Sequence, residues 1–510
     1  MRKIVLLLML LGLSLSHSFA QFQTAGTSRR YTLAQLAAAS GGAVSQAGTA
    51  WQINDTIRLA ATDTLSITTN ETIQVAPLAL LYIDGTLLVN PPDSVKFTAQ
   101  NTAAPWHTMS FSATAGASRL RKTVVEYSAG VRINGANLQL TDCVFRRNVA
   151  TLTTPAGVRS IGNGAISMSG NRAVVERCRF VRNSRSAIIS PANIATSPII
   201  RNCVFLLNNT ENGNYPQINL GPGIVGQTIL IERNLVVGSL ATNMAGGIGL
   251  SNLLGGGGVT RAEVRGNIIR NNRYGITVTG ANYNTLITRN LIQDNNNNPN
   301  ANTGGSGINF TGNSQTGVVS RNLISGNLWG VTVLKSGTSP NGLLISFGDL
   351  SSTDSTNVGL NRLVNNGNGG TVYDFYNNGP DDLKAENNDW GTAVAADVEA
   401  HIVHRPDIAT LGFVDYLPFR TGPLASRNAP ALQAELYPNP ARGQVSLQLP
   451  GAGPVTLTLH DVTGREVLHT SQQTVAAGRV ILPLGAIKPG LHLYQVTQNG
   501  RVATGHLVVE

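Results

Sequence analysis

The sequence predicts an all-β protein in which a long stack of parallel β-coils is followed by a small β-sandwich. A short phrase recurs every 23 to 39 residues through the middle of the chain, between segments rich in Val, Ile and Thr. The apolar pattern then changes to strict alternation after residue 440. Short β-branched segments separated by Gly and Asn favour strands over helices, and a repeat of this length is typical of stacked structural units.

The first twenty residues have the layout of a signal peptide. Arg2 and Lys3 precede an apolar run that ends at Leu13, and small residues reach Ala20, where cleavage would occur. The mature chain is therefore expected to begin near Gln21 and to leave the cytoplasm. No later stretch approaches the roughly 20 apolar residues that a membrane helix needs, so we expect no transmembrane helix in the mature chain.

Charge is sparse but unbalanced along this chain. The 37 Lys and Arg residues outnumber the 27 Asp and Glu residues, which gives a formal charge of +10. This balance permits an anionic partner, for which an acidic polysaccharide is the expectation and nucleic acid is not. Cys143, Cys178 and Cys203 are an odd number of thiols and open three related phrases. We interpret them as a column of small buried residues and expect no metal site.

The recurring phrase places an apolar residue two positions after a Cys or an Asn. Stacking turns such repeated positions into columns that run along the solenoid axis. The predicted inner column consists of Phe145, Phe180, Phe205, Val236, Ile269, Ile292, Ile324 and Leu363. The predicted amide ladder, in which side chains at a turn satisfy one another, consists of Asn234, Asn267, Asn290, Asn322 and Asn361.

These phrases resemble those of right-handed parallel β-helix proteins, the architecture shared by pectate lyases and many bacterial surface proteins. The resemblance covers roughly residues 50 to 415, and a closing phrase begins at Ala385. It implies a β-helix over residues 51–420, preceded by a leader and cap over residues 21–50. Within that cap, the segment from Tyr31 to Leu36 is expected to form a short helix that covers the end of the solenoid.

The fold by itself does not decide whether the chain is an enzyme. Elimination of the pectate-lyase type needs an Arg or Lys base and usually calcium held by carboxylates. Arginines are plentiful here, but no acidic pair recurs at one site. We therefore predict a basic face that binds glycan or extracellular matrix, with Arg147, Arg182 and Arg185 as candidate contacts. The alternative is a lyase acting on an acidic polysaccharide, and calcium is expected only in that case.

Two further motifs, one with adjacent aspartates and one with two histidines, are interpreted as structural and not as catalytic or metal sites. Asp381 and Asp382 lie in a turn and are adjacent, a poor arrangement for a hydrolase that needs two facing carboxyl groups. His401 and His404 could share a helical face, but no glutamate stands between them as in metalloprotease motifs. We therefore predict no metal site and no cofactor.

The C-terminal part of the sequence has a period of two. Alternating apolar residues such as Val445, Leu447 and Leu449 predict half-buried antiparallel strands. A small immunoglobulin-like β-sandwich is therefore expected over residues 435–510, after a polar, proline-containing linker over residues 421–434.

Several spaced motifs of this part resemble the type A C-terminal sorting domain of the type IX secretion system of Bacteroidota. The motif residues are Tyr437, Pro438, Asn439, Pro440, Asp461, Gly464, Arg465 and Gly490. The resemblance implies recognition by the outer-membrane secretion machinery, commonly followed by attachment to lipopolysaccharide. It implies a secreted or cell-surface protein and no enzyme activity. His506 departs from the family, because many members carry lysine there.

Overall fold

A computed structural model describes residues 21–160, 164–256, 258–336, 342–421, 432, 436–449, 451–461, 466–475, 478–485, 487–499 and 501–509. The chain falls into two compact units that divide between residues 422 and 423. The predicted signal peptide and most of the predicted linker lie outside the described residues.

The first unit is a stack of coils whose strands form three long parallel sheets, as the sequence predicts. Each full coil passes through sheet 1, then sheet 2, then sheet 3, and its strands pair in parallel with their counterparts in the next coil. The exception is the start of sheet 2, where Val44–Ala47 pairs antiparallel with Ala50–Ile53. Parallel pairing already begins at Phe22, which opposes Ile57. After the cap, the turns between sheets 1 and 2 are short except for the last, over residues 347–361, whereas several turns between sheets 2 and 3 carry inserted loops. These insertions lie along one edge of sheet 3.

The strands of the three sheets, in order along each sheet, have the following bounds. Sheet 1 consists of Arg30–Tyr31, Thr64–Ile67, Thr86–Val89, Arg119–Arg121, Gln139–Thr141, Val174–Glu176, Ile199–Arg201, Thr228–Glu232, Thr260–Arg265, Tyr283–Thr288, Gln315–Ser320 and Leu343–Ser346. Sheet 2 consists of Val44–Ala47, Ala50–Ile53, Glu71–Val75, Val95–Ala99, Thr123–Glu126, Val144–Arg146, Arg179–Val181, Val204–Leu206, Leu235–Val237, Ile268–Arg270, Leu291–Gln293, Leu323–Ser325 and Arg362–Val364. Sheet 3 consists of Phe22–Gln23, Ile57–Leu59, Leu81–Ile83, Met109–Phe111, Val131–Asn134, Gly164–Ser169, Ser186–Ile189, Pro216–Leu220, Gly246–Asn252, Ile276–Ala281, Ser306–Asn313, Trp329–Lys335, Phe375–Asn377 and Ile402–Val403.

Smaller elements decorate the coils and their ends. A helix, Leu33–Ala39, forms within the predicted cap; Thr32 accepts the Gln35 N–H at its start, and Leu33 and Leu36 are buried. A second helix, Ala395–Ala400, precedes the last strand of sheet 3. The paired short strands are Thr151–Thr154 with Gly157–Ser160, Gly367–Asn368 with Thr371–Val372, and Leu383–Lys384 with Val414–Asp415.

The inner column has the composition that the sequence predicts. Phe145, Phe180 and Phe205 are fully buried and stack with ring centroids 5.0 and 4.8 Å apart. Val236 follows Phe205 in register, and the aliphatic residues continue the column to Leu363. Coil stacking buries these side chains against their counterparts above and below, so each coil depends on its neighbours for its core.

A first ladder of side chains runs along the turn between sheets 1 and 2, and it confirms the predicted amide ladder. The backbone N–H and the Nδ2 of Asn267 both donate to Asn290 Oδ1 at 2.9 Å. The cysteines continue the same ladder, since the Cys143 N–H points at Cys178 Sγ at 3.4 Å. In order, the first ladder consists of Cys143, Cys178, Cys203, Asn234, Asn267, Asn290, Asn322, Asn361 and Asn388.

A second ladder runs along the turn between sheets 2 and 3. Its members are Asn148, Asn183, Asn208, Gln217, Asn272, Asn295, Asn327, Asn366 and Asp374. The coil of Val236 has Ser239 where the others have asparagine, and Gln217 fills the gap from the neighbouring strand. Its Oε1 accepts from Asn208 and its Nε2 donates to Asn272, both at 2.9 Å. Every buried turn amide in this row therefore has a partner.

The second unit is a small β-structure with its own apolar core. Its pairing is antiparallel apart from one parallel contact, Ala441 with Val509. The strands, in spatial order, are Glu466–Val475, Gly453–Asp461, Gly490–Gln498, Arg501–Val509, Leu436–Arg442, Gln444–Leu449 and Gly478–Pro483. The alternating residues Val445, Leu447 and Leu449 are buried, as their spacing predicts.

Candidate functional site

A cleft of about 490 Å³ lies on the outer face of sheet 3 in the C-terminal half of the solenoid. Its floor is formed by outward side chains of four adjacent strands, Ile276–Ala281, Ser306–Asn313, Trp329–Lys335 and Phe375–Asn377. A loop over residues 296–305 forms one wall. The volume is in the range of small-ligand sites.

Three aromatic side chains form a cluster at this cleft. The Trp329 ring lies 5.5 Å from the Tyr376 ring and 4.6 Å from the Tyr373 ring, measured between centroids. All three are half-buried, and Trp329 and Tyr376 line the cleft. Trp329 Nε1 donates to the Ala301 carbonyl at 2.9 Å, which fixes the indole against the loop. Such fixed, partly exposed rings present apolar faces on which a flat, weakly polar surface can stack.

A row of neutral polar side chains lies beside the aromatic cluster. Asn309 Nδ2 donates to Thr277 Oγ1 at 2.9 Å, and Thr332 Oγ1 donates to Asn309 Oδ1 at 2.8 Å. Thr332 also meets Ser306 Oγ at 3.0 Å. Parallel pairing aligns Thr277, Asn309 and Thr332 across three strands. The network therefore places hydroxyl and amide groups at about the 4.8 Å spacing between strands.

The wall loop approaches the solenoid closely because glycines end it. A Cβ at Gly304 would lie 2.8 Å from Arg273 Cγ and 3.1 Å from Arg273 Nε, so a larger residue would push the loop outward. The adjacent Gly305 has φ +86, a backbone region that favours glycine, and its N–H donates to the Arg273 carbonyl at 2.7 Å. The loop is thereby fixed to the turn that carries Arg273.

Arg273 carries the only charge among the lining residues that the structure describes for this cleft. It follows Asn272 of the second ladder, and Tyr274 follows it in turn. Burial raises the pKa of Tyr274 to about 12, so this phenol stays protonated at neutral pH. Among the described lining residues there is no carboxylate, and so no pair of carboxyl groups of the kind that glycoside hydrolysis uses.

The arginines predicted as glycan contacts lie outside this cleft. Arg147 and Arg182 are exposed and lie in neighbouring coils. Each directly precedes a second-ladder asparagine and has a left-handed backbone conformation, with φ near +53. Arg147 Nη1 donates to the Tyr127 hydroxyl at 2.5 Å. Arg185 forms an ion pair with Glu211 at 2.8 Å. The structure thus gives two of these three arginines internal partners.

Other arginines form ion pairs across coils along sheet 1. Arg177 meets Asp142 at 2.7 Å, and the contact holds the pKa of this carboxyl below its ordinary value. Arg201 pairs with Glu176 at 3.1 Å in the same way. The pairing partners are 35 and 25 residues apart, which is why isolated acidic residues in the sequence gave no sign of it. Much of the expected basic face is therefore neutralised.

A second depression of about 610 Å³ lies on sheet 1 near the N-terminal end. Its arginines are engaged with neighbours on the same face: Arg30 donates to Ser66 and Arg119 to Gln139, at 2.9 and 3.1 Å. No aromatic side chain is among its described lining residues. The sheet 3 cleft therefore combines more of the features of a ligand site.

The motifs interpreted as structural hold the C-terminal coils together. Asp381 accepts the Leu343 N–H at 3.2 Å, and Asp382 accepts the Phe413 N–H at 2.7 Å. The two histidines do not share a helix, because the helix ends before His401 and a strand follows. His401 lies 3.1 Å from Asp374, whereas His404 contacts Glu399 at 3.0 Å. Each histidine therefore has its own carboxylate.

The sorting-motif residues that the structure describes connect strands of the second unit. Asn439 Nδ2 donates to the His506 carbonyl at 2.8 Å, and the Val508 N–H donates to Asn439 Oδ1 at 2.9 Å. Tyr437 lies under the Arg479 guanidinium, 5.4 Å from ring centroid to Cζ. Pro438 and Pro440 flank Asn439 in the same strand, while Gly464 and Arg465 lie outside the described residues.

Asp461 and Gly490 belong to adjacent strands of this unit, in which Asp461 opposes His492. Gly490 begins its strand with φ +147, within the region that favours glycine. The motif residues described here are thus spread over three strands that come together in the folded unit. No helix among the described residues is long and apolar enough to span a bilayer.

Comparisons with known proteins identify the second unit. No curated protein matches this chain. One similar solved structure is the enzymatically active domain of tailspike protein 2 of bacteriophage CBA120, with 8% sequence identity, a TM-score of 0.24, and coverage of 87% of this chain and 72% of that chain. A TM-score this low carries no argument about this chain. Residues 435–510 match the family model described as the secretion system C-terminal sorting domain. The chain therefore consists of a parallel β-helix and a type IX sorting domain, which directs it to the secretion machinery and out of the cell or onto its surface.

Proposed function

We propose that the β-helix is the cargo of this secretion route and binds a polysaccharide in the sheet 3 cleft. The observation that carries the proposal is the half-buried Trp329–Tyr376 pair beside a row of hydroxyl and amide groups. Aromatic faces receive the C–H surface of a sugar ring, and the polar row receives its hydroxyls.

The strand spacing adds to this argument. Neighbouring parallel strands lie about 4.8 Å apart, close to the length of one sugar unit. Polar rows on successive strands, such as Thr277, Asn309 and Thr332, therefore present a repeating set of partners to a repeating chain. A secreted or surface-attached protein meets such chains in capsules, matrices and cell walls.

The test is to measure binding of the purified full chain to a panel of neutral and acidic polysaccharides. Trp329→Ala should weaken binding about tenfold, because it removes a stacking face. Tyr82→Ala is the matched control, since Tyr82 also projects from sheet 3 but lies far from the cleft, on the strand Leu81–Ile83. Equal binding by the Trp329 variant and the unchanged protein would contradict the proposal.

The same samples test the lyase alternative. A lyase acting on an acidic polysaccharide forms an unsaturated product that absorbs in the ultraviolet. Accumulation of this product during incubation with the full chain would show that the protein is an enzyme. Loss of the product when a chelator removes calcium would show that the reaction requires calcium. Binding with no such product is the result expected for a binding protein.

A further inference from the structure

Arg273 is an unusual residue for the wall of an open cleft. Its exposed fraction is only 7%, although it lines the cleft beside Asn214 and Thr303. Arg273 Nη1 donates to Asn214 Oδ1 at 2.6 Å, and Nη2 donates to the Thr303 carbonyl. Its Nε is buried and has no hydrogen-bond partner among the described residues.

The partners of Arg273 are neutral. Among the residues that the structure describes, no carboxylate lies within ion-pair distance of it. A guanidinium that is largely removed from water and lacks a counter-charge is costly, and it is ordinarily paired. Arg177 and Arg201 differ from Arg273 in both respects, because they are more exposed and each forms an ion pair with a carboxylate.

We propose that Arg273 binds a carboxylate of the ligand, so that the cleft selects uronic-acid-containing polysaccharide over neutral polysaccharide. A guanidinium fork matches a carboxylate in charge and in planar geometry. The acidic ring would place its carboxylate at Arg273, while an adjacent ring stacks on Trp329 across the same cleft. This inference rests on the proposed function and names its substrate class.

The first experiment compares uronic-acid oligosaccharides with their methyl esters, by calorimetry on the full chain. The unchanged protein should bind the acids at least tenfold more tightly than the esters. Arg273→Gln should remove that preference, so that the acids and the esters bind with equal affinity. Arg119→Gln is the matched control, because it removes one arginine charge from the sheet 1 depression and should leave the preference intact.

A second variant keeps the test independent of any effect of Arg273→Gln on folding. Asn214→Asp would place a carboxylate at the position that already accepts from Arg273 Nη1. This internal counter-charge should occupy the guanidinium, lower the affinity for the acids at least tenfold and leave the thermal midpoint equal or higher. Loss of acid binding with a stable fold would assign the effect to the charge of Arg273.

The outcomes separate the inference from the proposed function. If the unchanged protein binds acids and esters with equal affinity and Trp329→Ala abolishes both, the role of Arg273 is overturned. The cleft would then remain a glycan site. A preference that survives both Arg273→Gln and Asn214→Asp but is lost in Arg119→Gln would overturn it by placing the anion on sheet 1. Absence of binding to every probe by the unchanged protein would overturn both proposals.

Discussion

The two ladders follow the same stacking rule but end differently and support different parts of the molecule. The first begins with three thiols and ends at Asn388, whose Nδ2 donates to backbone carbonyls. The second uses amides from Asn148 onward and ends on the carboxylate of Asp374. Only the second ladder lies next to residues of the cleft. Asn272 precedes Arg273, Asn295 precedes the wall loop, and Asn327 lies two residues before Trp329.

The difference shows which side-chain chemistry each turn requires. A thiol can take both roles of the amide weakly: Cys203 Sγ accepts the Cys178 N–H and donates to the Val175 carbonyl, as Asn234 Nδ2 does to the Ile200 carbonyl. The first ladder tolerates this at Cys143, Cys178 and Cys203, where the turn between sheets 1 and 2 is only two residues long. The second ladder must hold inserted loops at fixed positions, and stronger and more directional amides supply each of its steps from Asn148 to Asn366, with Gln217 replacing the asparagine that the coil of Val236 lacks.

The largest expected effect comes from breaking each ladder at one coil. Asn290→Leu and Asn295→Leu each leave two buried N–H donors of the preceding asparagine without an acceptor. Each should lower the free energy of unfolding by about 3 to 5 kcal/mol. Denaturant unfolding measures this loss, and glycan binding to the folded variants separates the two ladders.

Binding should distinguish the two variants even though their stability losses are alike. Asn295→Leu should also weaken glycan binding about tenfold, because the wall loop begins at the next residue. Asn290→Leu should leave binding unchanged. If both variants lost binding equally, the second ladder would have no special relation to the cleft.

A somewhat smaller loss is expected where Gln217 bridges the second ladder. Gln217→Leu removes the acceptor for Asn208 and the donor to Asn272. We expect about 2 to 3 kcal/mol of destabilisation, from the buried amides left unpaired. Thermal unfolding monitored by circular dichroism measures it, with Gln293→Leu on the half-buried outer position of sheet 2 as a control of the same chemical change. An equal loss in the control would show that Gln217 is not a bridge.

A milder change moves the boundary between thiols and amides by one coil. Asn234→Cys should cost only about 1 kcal/mol, because Sγ can still accept the Cys203 N–H and donate to the Ile200 carbonyl. Asn234→Leu, which can do neither, is the comparison and should cost several times more by the same measurement. Equal costs would mean that the thiols of the first three coils contribute nothing as ladder partners.

The smallest expected effect is a pH dependence confined to the end of the second ladder. The nearby Asp374 carboxylate raises the pKa of His401 above its ordinary value of about 6.5. The stabilisation is complete below that ordinary pKa and is lost as the pH rises through the higher folded pKa. The thermal midpoint should therefore fall as the pH rises above about 6.5, and His401→Gln should remove this slope. A slope retained in the variant would assign it to another group.

Much of the solenoid could be predicted from single columns of the sequence. The phenylalanine stack, the buried thiols and the first ladder each follow from residues that recur at one position of the phrase. The second ladder was missed although its signal is present, since Asn272, Asn295 and Asn327 each stand five residues after a first-ladder asparagine.

The cleft and the charge pairing could not be predicted in the same way. Arg273 and Trp329 are 56 residues apart, and their approach depends on the conformation of an inserted loop that belongs to no repeat. The pairing of Arg177 with Asp142 depends on which rotamers point along the stack. Repetition fixes what recurs in every coil, whereas sites arise where the coils differ.

The terminal Asp374 gives the second ladder a direction and an end. Each asparagine accepts from the coil before it and donates to the coil after it, so the row works like a one-way chain that any further asparagine coil could lengthen. The Asp374 carboxylate accepts a hydrogen bond but does not donate one, so the row of hydrogen bonds ends at this residue. Duplication of an internal coil, such as residues 267–289, should therefore give a longer folded solenoid. The same coil placed after Asp374 would lack a hydrogen-bond donor from the preceding ladder residue.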